Sequence, residues 1–249
     1  MINRLLRRLV GKRSRSQLPK KTDQKRNKDK FALWLEQNPT GTFEQFYADS
    51  VAQALAGEKV HSSLGPAIKP GRLETARRIV RAWRSYGLRP SDNVVDYGCG
   101  TLRLGRILIE FLDADRYVGL DIDDRILDAG RSQLSADLIA SKRPRLEVIS
   151  AESLRRTAAW GPKWVCSKGV LQHVPPTELD RFFDNLSWLV LAGATGLFVV
   201  KIYATSEQLS SKTWAYALDD LRTPAGRSGM ELERVTNDHA NLLVVRASK

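Results

Sequence analysis

The stretch that most constrains this chain reads Asn93-Val-Val-Asp-Tyr-Gly-Cys-Gly-Thr-Leu-Arg-Leu-Gly105, followed by Arg116-Tyr-Val-Gly-Leu-Asp-Ile-Asp123. A short apolar strand ends in Asp96, a turn follows at Gly98 and Gly100, a helix begins, and a second apolar strand ends in Asp121. Parallel strands joined through a helix bring such acids and glycines to the carboxyl ends of the sheet, where nucleoside-bearing cofactors bind. A dinucleotide fold has apolar strand and glycine where this chain has Asp96. It also requires a third glycine, whereas Gly98 and Gly100 are followed here by Leu102 and Arg103.

After Pro90 the alternation of strands and helices is regular, which argues for an α/β, doubly wound and mostly parallel sheet covered on both faces. The pattern predicts strands at Asn93–Tyr97, Tyr117–Leu120, Arg145–Ile149, Trp164–Ser167 and Gly196–Tyr203, with a final pair at Glu231–Val235 and Asn241–Arg246. Helices are expected over Leu102–Leu112, Asp124–Ala140 and Glu207–Leu221, and another opened by Thr177 with its apolar stripe at Leu179, Phe182, Phe183 and Leu186. Residues 31–89 read as a helical segment. It has two short helices either side of Asn38-Pro39-Thr40-Gly41, a Gly/Pro-punctuated loop from His61 to Gly71, and an amphipathic helix carrying Leu73, Ala76, Ile79, Val80 and Trp83.

The net charge of +12 is unevenly spread. Residues 1–30 hold twelve Lys/Arg against Asp23 and Asp29, so the other 219 residues carry only +2. The high isoelectric point therefore belongs to a tail and says nothing about a substrate of the folded part. Ile2, Leu5, Leu6 and Leu9 recur at helical spacing among Arg4, Arg7 and Arg8, as in short amphipathic segments that lie in an anionic membrane surface. A solvated extension without function is an equal alternative. Nucleic-acid binding ranks third, because no aromatic residue precedes Phe31 to stack on bases. The two cysteines, Cys99 and Cys166, lack metal-ligand spacing and suit a reducing, cytoplasmic setting, extended by the tail to peripheral contact with the inner membrane surface.

Asp96-x-Gly98-x-Gly100 with the later strand-end Asp121 resembles the first two motifs of class I S-adenosylmethionine (SAM) methyltransferases, and the likeness covers about residues 70–249. It implies a Rossmann-like, seven-stranded sheet with an antiparallel last strand over residues 90–249, covered by the helical cap of residues 31–89. The cofactor implied is SAM. Asp96 would anchor its amino group, Gly98 and Gly100 would let the backbone approach it, Asp121 would accept the ribose hydroxyls, and Ile122 would pack on the adenine. Glu152 would flank the adenine amino group. Leu102 departs from the family, many of whose members have glycine there. Cys166-Ser-Lys-Gly-Val-Leu-Gln-His-Val174 resembles the segment that lies between cofactor and acceptor, which puts Ser167 and Lys168 near the sulfonium. His173 then reads as a general base or as a hydrogen-bonding residue at a helix entry. His61, Lys69 and Arg72 are candidate acceptor contacts in the cap.

Neither the Asn/Asp-Pro-Pro-aromatic motif of amide and adenine-nitrogen methyltransferases nor the Pro-Cys nucleophile of cytosine-C5 enzymes occurs. By elimination, the leading acceptor is an oxygen of a small molecule, sugar or lipid-linked glycan. An RNA methyltransferase using the basic tail, and a non-catalytic scaffold of the same fold, are the alternatives.

Overall fold

The computed structural model describes residues 30–56, 70–236 and 241–248. Ahead of the first strand come α1 (Lys30–Gln37), α2 (Phe43–Ala56) and α3 (Pro70–Ser85). The core follows as β1 (Val94–Tyr97), α4 (Gly105–Phe111), β2 (Tyr117–Asp121), α5 (Asp124–Arg131), α6 (Ala136–Lys142), β3 (Arg145–Val148), α7 (Ala151–Ala159) and β4 (Trp164–Lys168). Two 3₁₀ turns, Leu171–His173 and Pro176–Glu178, lead into α8 (Leu179–Val190) and β5 (Thr195–Val199). The chain closes with β6 (Ile202–Tyr203), β7 (Glu207–Ser210), β8 (Thr213–Ala217), α9 (Leu218–Arg227), β9 (Met230–Thr236) and β10 (Asn241–Ala247).

Seven strands form one sheet in the order β3-β2-β1-β4-β5-β10-β9. Pairing is parallel from β3 to β5, and β10 runs antiparallel to both β5 and β9. This is the Rossmann-like, doubly wound architecture expected, with the reversed strand slotted inside the edge. The order turns back between β1 and β4, so a crevice opens at their carboxyl ends. The two-residue alternation of each strand feeds a core on either side. Val95, Val118, Val165 and Phe198 face α7, α8, α9 and the cap residues Phe43 and Phe46. Val94, Cys166, Leu197 and Val244 face α3 and α4. Among the described residues no helix is long and apolar enough to cross a membrane.

Five expectations are corrected. Glu207–Leu221 is not a helix but the hairpin β7–β8, followed by α9. Thr213-Trp-Ala-Tyr-Ala217 sets its two large rings on alternate positions, which suits a pleated strand, and Trp214 and Tyr216 are buried. The fifth strand stops at Val199, and Ile202–Tyr203 pairs with β8 in a separate three-stranded sheet. The helix foreseen over Asp124–Ala140 is two helices, because Ser135 accepts from Leu138 N at 3.2 Å and starts a second one. The helix after β1 begins at Gly105, since Leu102 adopts φ +58° and belongs to the turn. Its side chain is almost fully buried, so apolar burial offsets the left-handed strain of about 1–2 kcal/mol. In the same way Thr177 lies in the 3₁₀ turn ahead of α8.

Candidate active site

A cavity of about 340 Å³ occupies the crevice at the carboxyl ends of β1, β2 and β4, with α2 as part of its wall. The turn after β1 is tied down by Gly98 N and Cys99 N, which both donate to Leu120 O at 2.8 and 3.0 Å. Gly98 has φ +75°, and a Cβ there would meet Val170 Cγ2 at 2.2 Å. The turn can therefore pass beneath the segment after β4 only without a side chain. Gly105 serves a second close approach, because a Cβ would sit 2.3 Å from the Tyr117 hydroxyl. That hydroxyl donates to Asp96 Oδ2 at 2.8 Å.

Asp96 and Asp121 are both buried. The hydrogen bonds that Asp121 accepts come from neutral donors, Gly100 N at 2.6 Å and Ile122 N at 2.8 Å. Burial is the main cause that pushes Asp96 up to about 7; the Tyr117 hydrogen bond opposes it and the field of Asp121 adds to it. Burial likewise raises Asp121 to about 6 against its two N–H donors. Each carboxylate has lone pairs left for a ligand. Burial also holds the Cys99 and Cys166 thiols protonated, so neither is an activated nucleophile.

At the other end, His173 Nδ1 lies 2.6 Å from Lys212 O. A carbonyl only accepts, so Nδ1 carries the proton and Nε2 the lone pair, 3.2 Å from the Gln172 side-chain nitrogen. Burial lowers the His173 pKa, and the charges of Lys212 and Lys168 add to this against the Lys212 carbonyl. The Tyr47 ring lies 5.1 Å from the imidazole, centroid to centroid. Burial, with a contribution from Asp121, pushes the Tyr47 phenol up to about 12. Tyr47 thus stands between the two ends of the cavity.

The cap is fastened on both flanks. Glu44 pairs with Arg181, which also meets Glu178 Oε2 at 3.1 Å, and Glu178 Oε1 accepts from Phe43 N at 3.1 Å. On the far side Asp49 meets Arg125 at 3.0 Å. The Phe43 ring packs edge-on against Trp214 at 4.9 Å, joining the cap to the β7–β8 hairpin.

Of the residues singled out in the sequence, Asp96, Gly98, Gly100, Asp121, Ile122, Lys168 and His173 line this cavity. Ser167 does not line it; its hydroxyl donates to Tyr97 O at 2.8 Å and ties β4 to β1. Glu152 does not line it either. Its side chain is 81% exposed and pairs with Arg156, while Ile149 occupies the cavity wall on that side. Arg72 falls in the first turn of α3, whereas His61, Lys69 and the tail of residues 1–29 lie outside the described residues. Sequence reading missed Tyr47, Glu44, Arg181 and Gln172. Tyr47 and Glu44 reach the site only through the packing of α2, which no local spacing reveals. The Glu178/Arg181 pair on successive helical turns was the one local signal.

The chain has the fold of the class I SAM-dependent methyltransferases. No protein-family model matches it. It is similar to the 18S rRNA (guanine(1575)-N(7))-methyltransferase of Saccharomyces cerevisiae, 27% identical over 167 residues, which are 66% of this chain and 56% of that protein. It is also similar to the ribosomal protein L11 methyltransferase of Nitrosomonas europaea, 29% identical over 97 residues, 38% of this chain and 31% of that one. The chain thus spans about half, or less, of the length of these relatives. Among solved structures, magnesium protoporphyrin IX methyltransferase from Synechocystis PCC 6803 with bound SAM superposes with a TM-score of 0.55 at 17% identity, over 84% of this chain and 99% of that one.

Proposed function

We propose that this chain transfers a methyl group from SAM to an oxygen of a small molecule, sugar or lipid-linked glycan. One observation carries the reading: two buried acids, Asp96 and Asp121, flank a glycine turn on one side of a cavity whose other side presents a neutral imidazole. The residues present fit the cofactor. Asp96, held by a neutral donor alone, suits a cationic amino group, and each oxygen of Asp121 keeps a lone pair for one of a pair of hydroxyls beside the N–H it accepts from. Ile122, Ile126 and Ile149 give the apolar wall a purine needs. Gly100, with open space at its Cβ position, leaves the backbone accessible.

When bound, SAM supplies a methyl carbon already activated on sulfur, so that a C–O bond forms as the C–S bond breaks. The protein's work is alignment. His173 Nε2 receives the proton an acceptor hydroxyl loses, and the Lys212 carbonyl keeps the imidazole in the required tautomer. Tyr47 and the cap exclude water. A hydroxyl acceptor is the case in which such a base matters.

The test is transfer from methyl-labelled SAM into host extract separated into lipid, glycan, RNA, protein and small-molecule fractions, with Asp121→Ala as control. Label in the glycan, lipid or small-molecule fraction, absent with the control, supports the reading. Label in RNA would transfer it to the second one, an RNA acceptor, which the similarity to a yeast rRNA methyltransferase favours. The tail of residues 1–30 serves weak attachment to an anionic membrane, placing the enzyme in the cytoplasm at the inner membrane surface. Equal partitioning of full-length and 31–249 protein on anionic liposomes would count against that.

A further inference from the structure

Helix α3 carries an arginine face that the cavity does not use. Successive helical residues are turned by about 100°, which sets Arg77, Arg78, Arg81 and Arg84 within roughly a third of the circumference, and all four are exposed. Ala76, Ile79, Val80 and Trp83 occupy the buried side. The acid on this face, Glu74, is taken by Arg81 at 2.6 Å, and Arg84 lies over the Phe111 ring at 5.0 Å. Arg77 and Arg78 make no ion pair among the described residues. Elsewhere on the surface Arg106, Arg131, Arg143, Arg156 and Arg222 each meet a carboxylate, while Arg89, Arg116, Arg155 and Arg234 meet none among the described residues, so what marks α3 is four arginines gathered on one helix face. Adjacent like charges on one helix face repel, so these arginines attract an external anion.

The face is also placed to matter. Helix α4 begins at Gly105, just past the cavity turn, and ends at Phe111. Arg84, in the last turn of α3, lies over that Phe111. The last turn of α3 therefore packs against the end of α4 that lies away from the cavity turn.

We infer that this face seats the protein on an anionic lipid surface, through guanidinium–phosphate contacts with the headgroups. A guanidinium matches a phosphate with two parallel N–H donors. Lipid is favoured over nucleic acid on two grounds. No aromatic side chain is exposed on this helix to stack on bases. The other basic segment of the chain interleaves Ile2, Leu5, Leu6 and Leu9 with its arginines, a pattern that suits a bilayer interface. The inference holds whatever the acceptor is.

Sedimentation of the full chain with vesicles tests it. Binding is expected to phosphatidylcholine containing about one-third phosphatidylglycerol, not to phosphatidylcholine alone, and to fade as salt shortens the Debye length from about 10 Å to about 3 Å. Arg77→Gln/Arg78→Gln should lower the partition coefficient about 20- to 30-fold, roughly fivefold for each arginine near an anionic surface. Its melting temperature and SAM affinity should not change. Arg131→Gln/Arg222→Gln removes the same charge from paired sites and should stay within about twofold of wild type. Three results would overturn the inference: an unaltered partition of the first variant, an equal loss in the second, or tight binding to RNA homopolymers with none to the anionic vesicles.

Discussion

The imidazole of His173 is anchored through Nδ1 to the carbonyl oxygen of Lys212, 2.6 Å away, so in this cavity-lining residue Nε2 carries the lone pair, 3.2 Å from the Gln172 side-chain nitrogen. Because burial lowers its pKa, the basic form is full above neutrality. Activity on a hydroxyl acceptor should be flat above pH 7 and fall only below the ordinary imidazole value of 6.5. His173→Ala should lower kcat by about 10²- to 10⁴-fold with SAM affinity within about threefold. Turnover of His173→Ala equal to that of wild type across pH 6–9 would take His173 out of the mechanism.

Asp96 and Asp121 make cofactor affinity pH-dependent in a stated direction. Their folded pKa values, about 7 and about 6, mean that protons must leave before a cation is held. SAM affinity should rise from pH 5 to pH 8 by about 10- to 100-fold and then level off. Stability of the unliganded protein runs the other way. A folded pKa above the unfolded value of 3.8 gives stabilisation that is complete below about pH 3.8 and lost as pH rises through about 7. Asp96→Asn should therefore melt about 2–6 °C above wild type at pH 8, with the gap narrowing as pH falls toward about 3.8, while SAM no longer raises its melting temperature. A lower melting temperature at pH 8 would contradict this account of the buried charge.

The parallel strands and the glycine turn were legible because their signals are local: short runs of strand-forming residues, of which β1 and β2 end at Asp96 and Asp121 and β4 runs into Gly169. The β7–β8 hairpin was not. Its rings Trp214 and Tyr216 earn strand conformation by packing against Phe43 and donating to Val174 O, partners far away in sequence. One side of the cavity was therefore readable, at Asp96, Gly98 and Asp121. The other side, Tyr47 and the Glu44–Arg181 pair, depends on a cap whose docking joins residues more than 100 positions apart. Glu152 was misplaced because the capping box of Ser150 and Ser153 starts α7 at once and turns that side chain outward.

The turn after β1 should tolerate no side chain at Gly98. Gly98→Ala combines a left-handed φ of +75° with a clash against Val170, and should cost about 2–4 kcal/mol in chemical denaturation. Adding Val170→Ala should recover the clash and leave about 1–2 kcal/mol of backbone strain. No recovery in the double variant would show that the contact with Val170 is not what forbids a side chain.

Arg181 holds the cap to α8 through Glu44 and Glu178. Exposed pairs contribute little to global stability, about 0–1 kcal/mol, so Arg181→Ala should leave the melting temperature almost unchanged. Hydrogen exchange in Phe43–Ala56 should instead rise by about tenfold while β1 and β4 stay protected. Unaltered exchange in α2 would mean that the aromatic contacts alone hold the cap.

Calorimetric titration of the protein with SAM tests the central claim most directly, because it needs no acceptor. One site should bind SAM, Asp121→Ala should weaken it by at least about 100-fold, a loss of about 2.7 kcal/mol, and NAD should give no heat. Failure to bind SAM, or equal binding by wild type and Asp121→Ala, would contradict the assignment of this cavity.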